Sequence, residues 1–395
     1  MAETRTPLGA TATPELAVTA TTKPEPNVAS SLPDVNLRDP NERPPEFLQR
    51  QWKTDFSRHT VSYDEIMSGG PPRDGIPPID NPMYASVANP PENMGANEPV
   101  IALEINGDAR AYPLAILIWH EIVNDEVGGV PVSVTYCPLC NTAITFDRRV
   151  GEQVLDFGTS GMLRKSDLVM WDRQTESWWQ QITGEAIVGE LTGTKLTFIP
   201  APLTSWKEFT EAYPDGQVLT RETGFSRNYN TPPYSGYDNL GGQPFLFGGA
   251  IDSKLPAMER VIGLDLGQEK VAYPFGGFSE SPVVHDTVSG QDIVIFFADG
   301  TLSAFDGRGP EGRRTVGSTG VFSPTLDGRD LTFALQDGAI VDEQTGSEWN
   351  VLGQAVAGDL VGRSLAPVVH ANHFWFAWQA FHPDTEVRTA EDIMR

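Results

Sequence analysis

The sequence predicts a mostly β protein of the β-rich α+β class, with a few short helices and two homologous β-rich halves. Glycine and proline are abundant, with 38 and 32 residues among 395, whereas the two together make up roughly 12% of average proteins. Segments such as 132–136 alternate in the manner of half-buried strands. The segment 101–113 also recurs, with substitutions, at 262–274. Short strands, few helices and an internal duplication follow from these three observations.

The charge balance excludes whole classes of partner. Acidic residues outnumber basic residues by 53 to 28, which gives a formal net charge of −25, so the protein would be repelled by a phosphate backbone. The longest strongly apolar run, residues 114–119, is far shorter than the ~20 residues that cross a bilayer. We therefore expect no nucleic-acid partner and no transmembrane segment.

Residues 1–45 are predicted to form a disordered stalk. They are rich in Thr, Ala and Pro and lack apolar periodicity. Such a stretch often follows a signal peptide or a lipid anchor that has been removed. We therefore expect an extracytoplasmic protein, either secreted, periplasmic or anchored at the cell surface. A cytosolic protein with a flexible start is the alternative.

Residues 46–100 are predicted to hold an N-terminal helix followed by a strap. Phe47, Trp52 and Phe56 supply aromatic anchors at a spacing of about one helical turn. The density of Pro and Gly in residues 69–82 excludes both a helix interior and a central strand. A strap across the body is favoured over a loop that brings charged residues to a site.

The first repeat is predicted over residues 101–227, a connector over 228–260 and the second repeat over 261–395. Landmarks recur in the same order, with His120-Glu121 opposite His285-Asp286. The best helix candidate is 204–213, because Ser205 and Glu208 can form a capping box. The connector is rich in Tyr, Asn, Pro and Gly.

The two cysteines, Cys137 and Cys140, belong to the first half alone. At the corresponding place the second half has Asp299-Gly300, an ordinary hairpin turn, so the turn does not require sulfur. A thioredoxin-like redox pair is disfavoured because strand residues follow the motif rather than a helix. A structural disulfide and a metal site remain as alternatives.

A metal site would need further ligands, and His120 is the strongest candidate. His285 enters through the repeat, although a histidine present in both halves can equally be a packing residue. Thiolate, imidazole and the nearby thioether of Met162 suit copper, with zinc as second choice. His370 and His373, by contrast, border a segment with the composition of a buried aromatic core.

Arg164 and Asp167 are the catalytic candidates. They lie three residues apart in a polar segment, where they could form a buried pair or an anion site. The glycines and serines around them match neither a phosphate loop nor a dinucleotide fingerprint. The segment also lacks a nucleophile elbow.

Several long motifs resemble the bacterial and archaeal domain of unknown function family numbered 3179, over about residues 50–390. The resemblance implies no settled activity, although members of that family often resemble exported or lipid-anchored proteins. It implies that His120, Cys137, Cys140, Arg164 and Asp167 are the residues to test. The motifs that carry it are 69–82, 110–114, 119–125, 135–143 and 166–173.

The function predicted from these residues is that of an exported metal-binding protein, with copper as the favoured ion and an oxidoreductase activity as its role if it is an enzyme. Its substrate or redox partner is not specified by the sequence. One alternative is a non-catalytic ligand-binding module with a structural disulfide, in which Trp178 and Trp179 stack on a sugar or peptide. The other is a metal-free hydrolase that uses carboxylates.

Overall fold

The computed structural model describes residues 35–389 apart from residues 93, 279 and 308–311. Strands make up 38% and helices 9% of the protein, which confirms the predicted β-rich class. Residues 1–34 of the predicted stalk lie outside the described residues. Within residues 35–45, the Arg38 N–H donates to the His59 carbonyl at 2.9 Å, and Glu42 accepts from the Ser62 hydroxyl at 3.0 Å. Contact with the body thus begins before residue 46, earlier than predicted.

The strands are short, as the glycine and proline content predicts. Those before the connector are β1 (Ile66–Ser68), β2 (Tyr84–Ser86), β3 (Pro99–Ile105), β4 (Asp108–Pro113), β5 (Ile122–Val127), β6 (Val130–Cys137), β7 (Thr142–Asp147), β8 (Arg149–Val150), β9 (Gln153–Val154), β10 (Phe157–Arg164), β11 (Asp167–Asp172), β12 (Trp178–Gln180), β13 (Glu185–Val188), β14 (Thr197–Ile199), β15 (Leu203–Ser205) and β16 (Gln217–Leu219). Those of the second half are β17 (Arg260–Asp265), β18 (Lys270–Pro274), β19 (Val283–Val288), β20 (Gln291–Ala298), β21 (Ser318–Phe322), β22 (Thr325–Leu326), β23 (Arg329–Asp330), β24 (Phe333–Gln336), β25 (Ala339–Asp342), β26 (Glu348–Trp349), β27 (Ala355–Ala357), β28 (Ala371–Phe374) and β29 (Glu386–Val387).

The described α-helices are short. They are α1 (Glu46–Gln49), α2 (Leu114–His120), α3 (Trp206–Ala212) and α4 (Trp375–Phe381). The helix predicted at 204–213 is α3, and its N-terminus carries the expected capping box between Ser205 and Glu208. The predicted N-terminal helix is a single turn, α1, on which Phe47 is 58% exposed and therefore is not an anchor.

Each principal sheet before the connector has a counterpart in the second half. The sheet β15-β3-β4-β16-β2 matches β28-β17-β18-β29. In both, a hairpin has an antiparallel strand on one side and a parallel strand on the other. The sheet β14-β7-β6-β5 corresponds to β19-β20-β21, and β1-β10-β11-β12-β13 corresponds to β24-β25-β26-β27. Common descent of the two halves would account for these matches and stays a prediction.

Two equivalent side-chain contacts show which residues of the two halves correspond. The Tyr112 hydroxyl donates to Asp125 at 2.6 Å, and the Tyr273 hydroxyl donates to Asp286 at 2.5 Å. Asp125 on β5 is therefore the counterpart of Asp286 on β19. The position that matches His285 is then residue 124, an asparagine, so the predicted pairing of His120 with His285 is wrong. The short shared tetrapeptide misled the alignment because a helix ends at His120, whereas His285 lies within a strand.

The turn at Asp299-Gly300 is a second correction. Strand β20 ends at Ala298, and its partner β21 begins only at Ser318. The two cysteines of the first half therefore lie in a tight connection whose counterpart is a long loop. An Asp-Gly pair occurs both in tight hairpin turns and at the start of longer loops. The dipeptide alone therefore does not show where the next paired strand begins.

The two halves share their hydrophobic core. One cluster unites Cys137 and Cys140 with Phe374 and Phe376 of the second half. Another joins Trp206 on α3 to residues of β20 and β21. The cysteine turn consequently lies where the two halves meet.

Candidate functional site

The cysteine turn connects two central strands. Strand β6 ends at Cys137, and β7 begins at Thr142. The Cys140 N–H donates to the Cys137 carbonyl at 3.3 Å, and the Asn141 N–H donates to the Pro138 carbonyl at 3.2 Å. Both cysteines are free thiols and buried. The turn therefore presents two sulfur atoms to the protein interior.

A second turn, between β10 and β11, faces these thiols. Lys165 and Ser166 both have positive φ, of 53° and 67°, as a two-residue type I′ hairpin turn requires. Asn-Gly is the usual pair in this turn, and neither residue here is of that type. The Cys140 thiol donates to the Ser166 carbonyl at 3.3 Å. A strained turn at this place is a typical mark of a functional site.

Asp167, the first residue of β11, completes a compact group of possible ligands. The Cys137 and Cys140 sulfur atoms and one carboxylate oxygen of Asp167 all lie within 4.8 Å of one another. Asp167 Oδ2 accepts hydrogen bonds from the Gln180 side chain at 2.6 Å and the Ile182 N–H at 3.0 Å. Asp167 Oδ1 is buried, and the only described donors that interact with the carboxylate on this side are the Cys137 and Cys140 thiols. The carboxylate is thus held on one side and open toward the thiols on the other.

Burial controls the ionisation of this group. It raises the pKa of Asp167 to about 6, against the opposing hydrogen bonds from the Ile182 N–H and the Gln180 amide. Burial likewise raises the pKa of the Cys137 thiol, and that of Cys140 well above its ordinary value. Near neutral pH both thiols are protonated while Asp167 is largely ionised.

Glu121 is a further buried carboxyl beside this group. It follows α2 in the left-handed conformation, with φ 60°, and its carbonyl accepts the Tyr136 N–H at 2.8 Å. Burial, followed by repulsion from Asp167, raises the pKa of Glu121 to about 8. Sequence reasoning missed Glu121 as a site residue, although it lies within the Trp-His-Glu motif. A carboxylate next to a helix end is too common in sequences to mark a site by itself.

The predicted connector covers the site. The Tyr237 hydroxyl donates to the Leu139 carbonyl at 3.1 Å and accepts the Phe245 N–H at 3.0 Å. The Ser166 hydroxyl donates to the Phe245 carbonyl. Residues 237–245 therefore tie the two turns together from above, which explains why neither thiol reaches solvent.

Arg164 lies beside the group without touching it. Its guanidinium pairs with Glu65 at 2.7 Å and approaches the Gln180 side-chain oxygen at 3.4 Å. Because the amide of the same Gln180 donates to Asp167, Arg164 acts on the carboxylate only through an intermediary. Of the two predicted catalytic residues, Asp167 is in the group and Arg164 supports it.

Neither predicted histidine ligand joins the group. His120 Nδ1 bonds the Pro77 carbonyl at 2.7 Å, and Nε2 bonds the Tyr229 hydroxyl at 2.7 Å, so both ring nitrogens have protein partners. His285 Nε2 accepts the Phe333 N–H at 2.9 Å in the second half. Met162 packs in a different hydrophobic cluster from the cysteines. The structure therefore brings the two predicted cysteine ligands together and places both predicted histidine ligands outside their group.

The residues of the strap do not enter the site. Arg73 lies over the Trp171 ring at 3.5 Å, and Asp74 accepts the Thr159 N–H at 3.1 Å. Asp80 accepts the Asn124 side-chain amide at 2.7 Å. These contacts hold residues 69–82 against the body of the protein, as expected of the predicted strap.

Comparison with known proteins adds a family and no activity. No described helix is both long and apolar enough to cross a membrane. No curated protein and no solved structure matches the chain. The family described as "protein of unknown function (DUF3179)" matches residues 73–385, a span that includes both halves and every residue of the cysteine group. The chain therefore belongs to the DUF3179 family of proteins of unknown function.

Proposed function

We propose that this chain is a metal-binding protein that holds one ion between Cys137, Cys140 and Asp167. One observation carries the proposal. The three donor atoms lie within 4.8 Å of one another in the interior, and Asp167 Oδ1 has no other partner among the described residues. A buried carboxylate oxygen that faces only weak thiol donors is poorly compensated for its lost hydration, and a bound cation would compensate it better.

The charges around the group support the same proposal. Two thiols and two carboxyls, those of Asp167 and Glu121, all have pKa values raised by burial. Arg164 reaches Asp167 only through Gln180. A divalent cation would stabilise the thiolate and carboxylate forms and release their protons. Glu121 is the natural candidate for a fourth ligand.

The donor types favour zinc. Zinc binds mixed sets of cysteine thiolates and carboxylates, whereas Cu(I) selects softer donors. The copper prediction depends on export and on imidazole and thioether donors beside the thiolates, but His120 has other partners and Met162 packs elsewhere. Copper is therefore the second choice here. The burial of all three ligands is typical of a closed structural site rather than one with an open position.

Metal analysis of the full chain, purified without chelators, tests the proposal. We expect about one equivalent of zinc together with two free thiols after denaturation. Cys140→Ser and Asp167→Asn should each lower the stoichiometry at least several-fold. His120→Ala and His285→Ala are matched controls, because both residues were ligand candidates and both lie outside the group; they should retain the ion.

Two results would contradict the proposal. Metal-free protein with Cys137 and Cys140 joined in a disulfide would support a structural bridge instead. Equal metal content in wild type and Cys140→Ser would place the ion elsewhere. One equivalent of copper lost in Cys140→Ser would retain the site and overturn the choice of zinc.

The alternatives gain no comparable support. Trp178 and Trp179 are fully buried, so they cannot stack on an external sugar or peptide. A carboxylate-dependent hydrolase would need substrate access to Glu121 and Asp167, and both are buried. An extracytoplasmic location remains part of the proposal on the composition of residues 1–45, and fractionation of cells that produce the full chain tests it.

A further inference from the structure

A cavity of about 380 Å³ lies between the two halves, behind the cysteine group. Its walls come from β7 and β14 of the first half and from β17, β28 and α4 of the second. Ile182, whose N–H holds Asp167, also lines it. Val369, 37% exposed, is part of its lining, so the cavity reaches the surface. Its volume falls in the range of small-molecule sites.

The cavity has aromatic walls, and the positive and negative charges of its lining are equal in number. Trp378, Phe198 and Phe381 provide aromatic wall. Trp378 and His373 pack directly against the backbone of Gly263, where a Cβ would lie 2.4 Å from the Trp378 ring and 2.8 Å from His373. The lining contains two positively charged residues, Lys195 and Lys270, and two negatively charged residues, Glu185 and Asp265. A strongly charged ligand would gain little from such a site.

His373 gives the cavity a hydrogen-bond acceptor. The Thr142 hydroxyl lies 3.3 Å from the Cys140 carbonyl and 2.8 Å from His373 Nδ1. When the hydroxyl donates to the carbonyl, its oxygen accepts from His373 Nδ1–H. Burial lowers the pKa of His373 to about 3, which keeps the ring neutral. Nε2 of this tautomer therefore carries a lone pair, and the described residues supply it with no donor. His382 adds a buried ring nitrogen, Nδ1, that also has no protein partner.

The first half shows that the fold does not require these imidazoles. Thr204 pairs with Val100 on β3 as His373 pairs with Val261 on β17. Tyr213 follows the last residue of α3 as His382 follows that of α4. The same elements are thus built with Thr and Tyr in the first half. The histidines are a property of the cavity rather than of the architecture.

We propose that this cavity binds an uncharged aromatic compound bearing a hydroxyl group, with the ring against Trp378 and the hydroxyl donating to His373 Nε2. The proposal stands apart from the metal site, because neither histidine belongs to the cysteine group. A phenol supplies the planar apolar face and the donor that this lining lacks. A carboxylate would supply neither the donor nor a favourable charge.

A matched set of one-ring probes tests the proposal on the full chain: p-cresol, toluene and p-toluate, titrated by ligand-observed NMR. We expect p-cresol to bind roughly threefold to tenfold more tightly than toluene, as one neutral hydrogen bond provides, and p-toluate to bind most weakly. His373→Leu should bring the p-cresol to toluene ratio close to one. His285→Leu, a half-buried histidine outside the cavity, should leave it unchanged.

Several outcomes would overturn the inference. Equal affinity of wild type for p-cresol and toluene would do so without any variant, as would the absence of binding by both. Tighter binding of p-toluate would indicate a site for anions. An unchanged ratio in folded His373→Leu would remove His373 from recognition.

Discussion

The backbone N–H of Phe374 donates a 2.8 Å hydrogen bond to the carbonyl of Cys140. The last residue of β28 in the second half is thus hydrogen-bonded to the cysteine turn of the first half. Two residues further along, Thr142 bonds His373 of the same strand. The candidate metal group and the cavity are therefore held together by two hydrogen bonds between the halves, and changes there should affect stability as well as binding.

Replacing Thr142 by valine tests the hydrogen bond between Thr142 and His373. Thr142→Val keeps the shape but leaves the buried Nδ1–H of His373 without an acceptor, which costs roughly 1–3 kcal/mol of unfolding free energy. Urea denaturation measures the loss. Thr287→Val is the control, because that hydroxyl bonds Asp292 at the exposed surface; its effect should stay within about 0.5 kcal/mol. Equal effects of the two variants would contradict the account.

The repeated aspartates predict equal losses in the two halves. Asp172 accepts the Trp179 indole N–H at 2.9 Å, and Asp342 accepts the Trp349 indole N–H at 3.0 Å. Each also accepts a threonine N–H and hydroxyl three residues on. Either change to alanine should lower the unfolding free energy by more than about 2 kcal/mol, because several buried donors lose their acceptor.

Thermal and urea unfolding of Asp172→Ala and Asp342→Ala provide the comparison, with Asp215→Ala on an exposed turn as control. Losses of unfolding free energy that differ by more than about 2 kcal/mol would show that the two aspartates do not contribute equally to stability.

The raised pKa of Glu121 predicts a dependence of stability on pH in the metal-free protein. Between its ordinary pKa near 4.5 and about 8, folded Glu121 keeps a proton that the unfolded chain releases. Stability should therefore be highest below this window and fall as pH rises through it. Glu121→Gln should flatten the decline by up to about 1.4 kcal/mol per pH unit.

Urea unfolding at pH 5, 6 and 7 in the presence of chelator measures that slope. The control is Glu126→Gln, an exposed glutamate on β5. An unchanged slope in Glu121→Gln would mean that Glu121 ionises normally in the folded protein.

Gln180 should tune the affinity for metal without being a ligand. Its amide donates to Asp167 Oδ2 at 2.6 Å and so aims Oδ1 at the thiols. Loss of such an orienting partner typically costs tenfold to 100-fold in metal affinity. Competition with a chromophoric chelator should show this loss in Gln180→Leu, and Gln174→Leu, an exposed change, should show none. Wild-type affinity in folded Gln180→Leu would contradict the assigned role.

Sequence patterns predicted the elements whose signals are local. The α3 helix follows from a capping box, and the strap follows from proline density. Both cysteines were identified because they are rare. Asp167 was identified through its motif, but its position as the third member of the group depends on the pairing of β10 with β11.

The histidines show what local sequence patterns cannot predict. His120 is predicted as a ligand because it lies in the same half as the cysteines, yet its two ring nitrogens bond Pro77 and Tyr229, the second of which is 109 residues away. His373 borders a segment that the sequence predicts as buried core, and it is both buried and part of a cavity wall. Whether a buried imidazole nitrogen has a partner depends on contacts between halves, which no local pattern encodes.

The central claim is tested most directly by calorimetric titration of the reduced, metal-free protein with zinc at pH 7 in buffers of different ionisation enthalpy. We expect one site and the release of at least two protons, because both thiols must lose theirs when the ion binds, and of a third when Glu121 is the fourth ligand. Both the binding and the proton release should disappear in Cys140→Ser. Absence of binding, or binding that releases no protons and persists in Cys140→Ser, would contradict the assignment of Cys137, Cys140 and Asp167 as a metal site.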